Sequence, residues 1–489
     1  MRVFGGLLGH AAGAVSIVLL TALLLLGCGA PSSTPTLVRT EAAVIPTAAR
    51  AVATRPPAVT LQSPCAQVVK LRLDDWSSTD EAHAAMAEIL ASFKDPFPCI
   101  EVEIVPQLEA GADERRLEAI KAGTASDLIA ADSSFIPAYT EAGGLADLTP
   151  LVEGDPGFNP EDFFQGVWKS GFYQGVPRAI AKDFSTCAFY VNVALFEKAG
   201  LPLPVEGWTY DDHLLLAKQL TLDGEGRDAA DPLFDPADIA QYGTSVPYWG
   251  GGGTQGWFRG FQNILYSFDA HPLSPDGTQL TGYLNGPNAQ TAWGYARDLV
   301  HRYHVSPDTE AINAQAEGNL TLFKEGKLAM VGGFWGPWFQ ETLDATPGLD
   351  WAVVPLPTGV AGHRGVIMWM GWGINAKTEH PKEAWELLKW LTSEPGQRAF
   401  SRRALTAYKP LAVELQRIND PFWGPFLAET EYVDRLDDAA NPRFFSCISA
   451  GPTADLLYQI WAPGGEQIDL KTRLDQLAAE GDECLAATP

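Results

Sequence analysis

Residues 68–105 constrain the fold more than any other stretch. Positions 68–73 (VVKLRL) form a β-branched and aliphatic run, which reads as a strand. Met86, Ile89, Leu90 and Phe93 then recur at i, i+3, i+4 and i+7, so the spacing predicts an amphipathic helix over 81–94. Ser78 and Glu81 stand at capping-box spacing at its start. Positions 100–105 (IEVEIV) form a second strand. A strand, a helix and a strand in that order make a βαβ unit with parallel strands. A further helix over 113–122 and a third strand over 126–132 continue the pattern, and the expectation is an α/β fold. In open parallel sheets ligands bind outside the carboxyl ends of the strands. Asp75, Trp76, Asp132 and Ser133 all fall there. For the two aspartates a helix cap or a solvated loop position is the competing reading, whereas a loop tryptophan such as Trp76 needs something to pack on.

Three glycine-rich segments carry tryptophan. In 329–339 (AMVGGFWGPWF) two glycines end an apolar run, and Trp335 and Trp338 flank a Gly-Pro pair. Glycine lets the backbone approach a ligand closely, and proline fixes a turn. Two indoles held this way suit a flat ligand with apolar faces, such as a sugar ring; a buried strand with core tryptophans explains them equally well. Trp249 and Trp257 bracket a run of glycines that lacks the Gly-Lys-Ser/Thr of a nucleotide loop. That run reads as a flap closing on a ligand. Trp369 and Trp372 lie in 369–373 (WMGWG), a third aromatic loop. No metal site is expected. His301 and His304 have no third ligand near them, and the acidic turn at 223–226 lacks the twelve-residue calcium spacing.

The N-terminus speaks for the compartment. Arg2 precedes a short apolar run over 15–26, followed at once by Leu25-Leu26-Gly27-Cys28. A spanning helix needs about 20 apolar residues. A shorter run with a small residue before cysteine resembles a bacterial lipoprotein signal, in which residues 1–27 are removed and Cys28 is acylated, for instance with palmitate. Residues 28–64, rich in Ala, Pro, Thr and Ser and without an aromatic residue, read as a disordered tether. The expected location is extracytoplasmic, on the outer face of the cytoplasmic membrane. With 34 basic against 60 acidic side chains the net charge is −26, which argues against nucleic acid as a partner. Of six cysteines, Cys65 and Cys99 each precede a strand of the first βαβ unit, close enough to bridge in an oxidising compartment. Cys447 and Cys484 form the second expected pair, leaving Cys187 a buried thiol.

From 126 onward the chain resembles a known family. The strand ending at Asp132, followed by Gly-Gly-Leu-x-Asp-Leu-Thr-Pro over 143–150, resembles an extracellular solute-binding protein of an ABC importer. The closest group is the carbohydrate-binding, maltose-binding-protein-like one (family 1). The run Phe189-Tyr190-Val191-Asn192, the Phe-x-x-Gly-Lys-x-Ala-Met…Trp segment over 323–338, the strand at 351–357 and Gly371-Trp372-Gly373-Ile374 agree in order and spacing. The resemblance implies a two-lobed, type II periplasmic-binding-protein-like α/β fold, each lobe a mostly parallel sheet flanked by helices and joined by hinge strands. Laid on this chain, lobe 1 is 65–181 plus 357–401, and lobe 2 is 186–352 plus 402–489. It further implies a monomer without cofactor that binds a sugar or oligosaccharide between its lobes and delivers it to the transmembrane subunits of a permease. Tryptophans 76, 249, 257, 335, 338, 369 and 372 would stack on sugar faces, with Asp75, Asp132 and Asn192 bonding the hydroxyls.

Two other readings stay open. The same fold could hold a polyamine, peptide or other small solute in an acidic aromatic cage. A secreted glycoside hydrolase would share the aromatics and carboxylates, although the sequence holds no nucleophile elbow and no His-Glu-x-x-His.

Overall fold

The computed structural model describes residues 65–487, apart from 66, 76–79, 107–110, 249–256, 338, 403, 434–436, 438–439 and 450. Cys28, Trp76, Ser78, Trp249 and Trp338 therefore lie outside the described residues. The chain opens with β1 (Val69–Asp75), α1 (Asp80–Phe93), β2 (Ile100–Pro106), α2 (Ala112–Ala122) and β3 (Leu128–Asp132). β1 and β2 pair in parallel from Val69↔Ile100 to Asp75↔Pro106, as the strand–helix–strand order requires. α1 turns Met86, Ile89 and Phe93 into the core. A disulfide joins Cys65 to Cys99 at the start of that parallel pair, with Cα atoms 5.3 Å apart.

Two further strands complete the first sheet: β4 (Ile180–Ser185) and, much later in the chain, Met368–Ile374. The spatial order is β2-β1-β3, then Met368–Ile374, then β4. The inserted strand runs antiparallel to both neighbours, so the other four share one direction. The sheet's core is apolar on both faces, with Leu71, Leu73, Ile129 and Ala131 fully buried.

The second sheet is built from β5 (Ala188–Asn192), β6 (Met330–Trp335) and β7 (Trp351–Val354), with β5 in the centre. Both pairings are antiparallel. This corrects the expectation of a mostly parallel sheet in each lobe. β5 leaves the first sheet through 186–187, and β6 and β7 run back toward that junction, so their directions must oppose it. A parallel bridge between Tyr242 and Leu328 lies beside β6. β5 is covered on both sides: Ala188 and Tyr190 enter one apolar cluster, Phe189 and Val191 the other. That explains why its sequence is a continuous apolar run rather than an alternation.

The remaining elements used below are α3 (Val193–Ala199), α4 (Tyr210–Leu220), α5 (Trp257–Ser267) and α6 (Pro287–His301), followed by β8, the strand Met368–Ile374 already placed in the first sheet. α4 starts on a capping box between Thr209 and Asp212. The tail divides. Leu405, Ala407 and Ala412 pack in the cluster of the first sheet, whereas Ile448, Leu457, Trp461 and Leu474 pack in the second cluster. Cys447 and Cys484 form the second disulfide and Cys187 is buried and free. The acidic turn at 223–226 is closed chiefly by Asp223, with the Gly224 N–H donating to the Asp238 carbonyl at 2.7 Å. Burial works against ionisation of Asp223, but N–H donors from Arg227, Asp235 and Glu225 and the Arg227 guanidinium bring its carboxyl down to about 2. Among the described residues no helix is long and apolar enough to cross a membrane.

Candidate functional site

Because β1, β3 and β4 run the same way and β8 runs against them, four chain positions meet on one edge of the first sheet. These are Asp75, Asp132 and Ser185 at strand ends and Met368 at a strand start. The register places Met368 opposite Ser185 and Met370 opposite Asp132. A pocket of about 190 Å³ opens there, walled by Asp132, Asp183, Ser185, Met368, Trp369 and Met370.

Lys182 and Asp183 were not singled out by the sequence reading, and a backbone irregularity explains how they work together. Met370 pairs with Asp183, but the next residue, Gly371, pairs with Ala181. Lys182 is thus the extra residue of a bulge. In a regular strand, neighbours point to opposite faces; a bulge re-aims one of them. Here the Lys182 ammonium reaches the Asp183 carboxylate, and it also sits 5.0 Å from the centre of the Phe400 ring. Gly371 makes the bulge possible, since a Cβ on it would lie 2.0 Å from the Ile180 carbonyl oxygen. The available signal was a Lys-Asp pair, the only charged residues in the stretch 179–191.

Asp132 closes a turn of its own: its Oδ1 accepts from the Ser134 N–H at 2.9 Å and from the Ser134 hydroxyl. Ser133 is buried, its N–H donating to the Trp369 carbonyl at 3.3 Å. Asp75 is buried at the same edge and is not part of the pocket wall.

The tryptophan expectations divide. WMGWG is not a loop but the body of β8. Trp372 has 0% of its surface exposed, lies near Phe400 and donates its indole N–H to the Asp74 carbonyl at 2.7 Å. No face is left for a ligand, so it is a core residue. Trp369 is 2% exposed, which rules out stacking of a whole ring face, although it does line the pocket. Its Nε1–H is buried and has no hydrogen-bond partner among the described residues. A buried unsatisfied donor costs about 1–3 kcal/mol. Asn192 is also reassigned. It caps α3, its Oδ1 accepting from the Leu195 N–H at 3.2 Å. It stands four residues beyond Ala188, roughly 13 Å at the rise of a strand.

Trp335 ends β6 opposite Ala188, three residues along the chain from Ser185 of the pocket. The preceding glycines make that position. A Cβ on Gly332 would lie 2.4 Å from the Ala188 carbonyl oxygen, and Gly333 takes a left-handed φ of 75°. The pairing breaks between Gly332 and Trp335. Beyond it, the buried Tyr190 hydroxyl donates to the Gly336 carbonyl at 2.7 Å and anchors the Gly-Pro turn. The backbone of Trp335 is thereby set at the end of the second sheet that meets the first. Trp257 starts α5. Among the described residues no group of three or more His, Cys, Asp or Glu side chains could hold a metal ion.

Comparison with known proteins agrees with this architecture. A binding protein of Brucella abortus (strain 2308) is 25% identical over 294 residues, 58% of this chain and 62% of its own length. An uncharacterised lipoprotein of Streptomyces antibioticus is 24% identical over 334 residues, 66% of each chain. This chain thus spans about three fifths to two thirds of the length of these relatives. Among solved structures, the sugar-binding protein MalE of Xanthomonas citri superposes with a TM-score of 0.71 at 18% identity, covering 86% of this chain and 98% of that one. UspC of M. tuberculosis gives 0.68 at 20% identity, covering 85% and 100%. A cyclo/maltodextrin-binding protein complexed with maltotetraose gives 0.66 at 18% identity, covering 87% and 99%. These likenesses establish the two-lobed α/β fold. The family profile described as bacterial extracellular solute-binding protein matches residues 76–398. By that match this chain belongs to the bacterial extracellular solute-binding proteins.

Proposed function

We propose that this protein captures a sugar or short oligosaccharide at the carboxyl edge of its first sheet, between two lobes, and delivers it to an ABC permease while tethered to the membrane by a lipid on Cys28. The observation that carries the ligand class is the donor and acceptor inventory of the pocket. Asp132 and Asp183 offer carboxylate oxygens, which accept hydrogen bonds; the Lys182 ammonium that reaches Asp183 only donates. A sugar hydroxyl both donates and accepts, so it serves both kinds of group. A polyamine only donates and, as a cation, would meet the like charge of the Lys182 ammonium beside Asp183. The pocket's volume of about 190 Å³ is below the roughly 300–1,000 Å³ of sites that enclose a drug-sized ligand. It therefore suits one ring, with any further units lying toward the Gly336-Pro337 turn that follows β6. Maltotetraose in one structural relative fits such an arrangement, and the Streptomyces lipoprotein supports the anchor. Binding without turnover makes the protein a receptor, not an enzyme.

Asp183→Ala tests this reading. A hydrogen bond to a charged group is worth about 1.5–3 kcal/mol, so calorimetric titration should show affinity for the bound saccharide falling roughly 10- to 150-fold at unchanged stoichiometry. Unchanged affinity would move the ligand away from this pocket.

A further inference from the structure

We infer that Asn263 is the positioning residue that fixes the turn bearing Trp335. The inference rests on the proposed sugar site. Asn263 lies in the middle of α5 and is fully buried. Its amide spans three separate stretches of chain. The Nδ2 group donates to the Gly333 carbonyl at 2.5 Å and weakly to Gly260 of its own helix at 3.3 Å. The Oδ1 atom accepts from the Val366 N–H at 2.8 Å. The Cys187 thiol, which burial pushes up to about 12, also bonds to it.

Each of these partners matters to the site. Gly333 is the left-handed residue of the bulge that breaks the β6 pairing, so its carbonyl is not available to a regular ladder. Trp335 follows two residues later. Val366 lies in the connection that returns the chain to β8, and Cys187 lies in the connection between β4 and β5. The helix that presents Asn263 begins at Trp257, where the glycine-rich run ends. One buried amide therefore ties the helix that follows the glycine-rich run to the Trp335 bulge and to two of the connections between the sheets. A side chain with one donor end and one acceptor end is required, since Gly333 offers an oxygen and Val366 an N–H.

Two variants and two readouts test this. Asn263→Leu keeps the approximate volume and removes both bonds. Asn263→Asp keeps the acceptor for Val366 but, when ionised, sets a carboxylate oxygen against the Gly333 carbonyl; when protonated, it regains a donor. The titratable groups facing this position are Cys187 and Glu429, the latter paired with His363. Hydrogen exchange of the full folded chain without ligand should show faster exchange at amides 332–336 in Asn263→Leu. The same should hold for Asn263→Asp at pH 8, with protection regained at pH 5. Affinity for maltotetraose, measured where each variant is fully folded, should fall at least about tenfold in Asn263→Leu and in Asn263→Asp at pH 8. It should recover in the aspartate variant at pH 5, with no such rise in the wild type. Unchanged exchange at 332–336 in both variants overturns the inference. The exchange readout needs no ligand, so a wild type that ignores maltotetraose would count against the sugar reading while Asn263 is still judged on exchange.

Discussion

Trp372→Ala should destabilise the protein by about 3–5 kcal/mol, the range for removing a large buried aromatic side chain. For a cooperative unit of 150–250 residues this lowers the melting temperature by roughly 6–20 °C. The effect is expected to be large because Trp372 loses on several counts at once. It has no exposed surface, it sits in β8 between Ala130 and Ile180, and it packs near Phe400. Its removal also takes the indole N–H away from the Asp74 carbonyl. At a temperature where the variant is folded, sugar affinity should stay within a few-fold of wild type. A variant that melts normally but fails to bind would make Trp372 a ligand platform after all.

The second large effect is expected at Glu429, which is 1% exposed. One carboxylate oxygen accepts from the Leu356 N–H at 3.1 Å, the other lies 2.8 Å from Nε2 of His363. His363 stacks on Tyr432 at 4.0 Å, and the Tyr432 carbonyl accepts from the Gly365 N–H. Three residues before Glu429, the Phe426 carbonyl accepts from the Thr186 hydroxyl at 2.6 Å. The stretch 426–432 thus braces two connections between the two sheets. Glu429→Ala leaves a buried histidine and a buried N–H unmatched, and breaking a buried pair from one side costs about 3–5 kcal/mol. The pH dependence has a definite sign. Burial, the largest influence, raises the Glu429 carboxyl above its ordinary value, against the opposing hydrogen bonds and charge of His363 and the Leu356 N–H. A carboxyl that binds its proton more tightly in the folded state stabilises fully below its unfolded pKa, and that contribution is lost as pH rises through the folded value. Glu429→Gln is neutral throughout. Urea denaturation should therefore show wild-type stability, relative to Glu429→Gln, falling as pH rises from about 4 toward 7. A flat difference, or one of opposite slope, contradicts the assignment.

The first sheet was legible because its signals are local and redundant. Strand, helix and strand follow one another within 40 residues, and the parallel register from Val69↔Ile100 explains why Cys65 and Cys99 meet. Asp132 was legible for the same reason: a strand that ends in a polar residue places it on the carboxyl edge. What escaped the reading depends on contacts between distant segments. Glycine beside tryptophan reads as a loop, yet Gly371 is small because the Ile180 backbone presses on it in a strand. Asn192 is polar at the end of a strand, like Asp132, but the chain turns directly into α3 and uses it as a cap. The Lys182 bulge is invisible locally, since only the register of β8 against β4 creates it. Asn263 and Glu429 bind backbone atoms 70 or more positions away, and no spacing rule within a window reaches that far.

The most direct test of sugar capture is a thermal-shift screen of the tether-free folded chain. The panel should hold mono- and oligosaccharides including maltotetraose, with spermidine and short peptides as controls. A ligand at about 100 times its Kd stabilises the folded state by about 2.7 kcal/mol, which for a unit of 150–250 residues is roughly 5–11 °C. Sugar capture predicts such a shift with one class of saccharide, no cleavage of that saccharide on prolonged incubation, and no shift with spermidine. A shift confined to spermidine or peptides, or release of product from the saccharide, would contradict it.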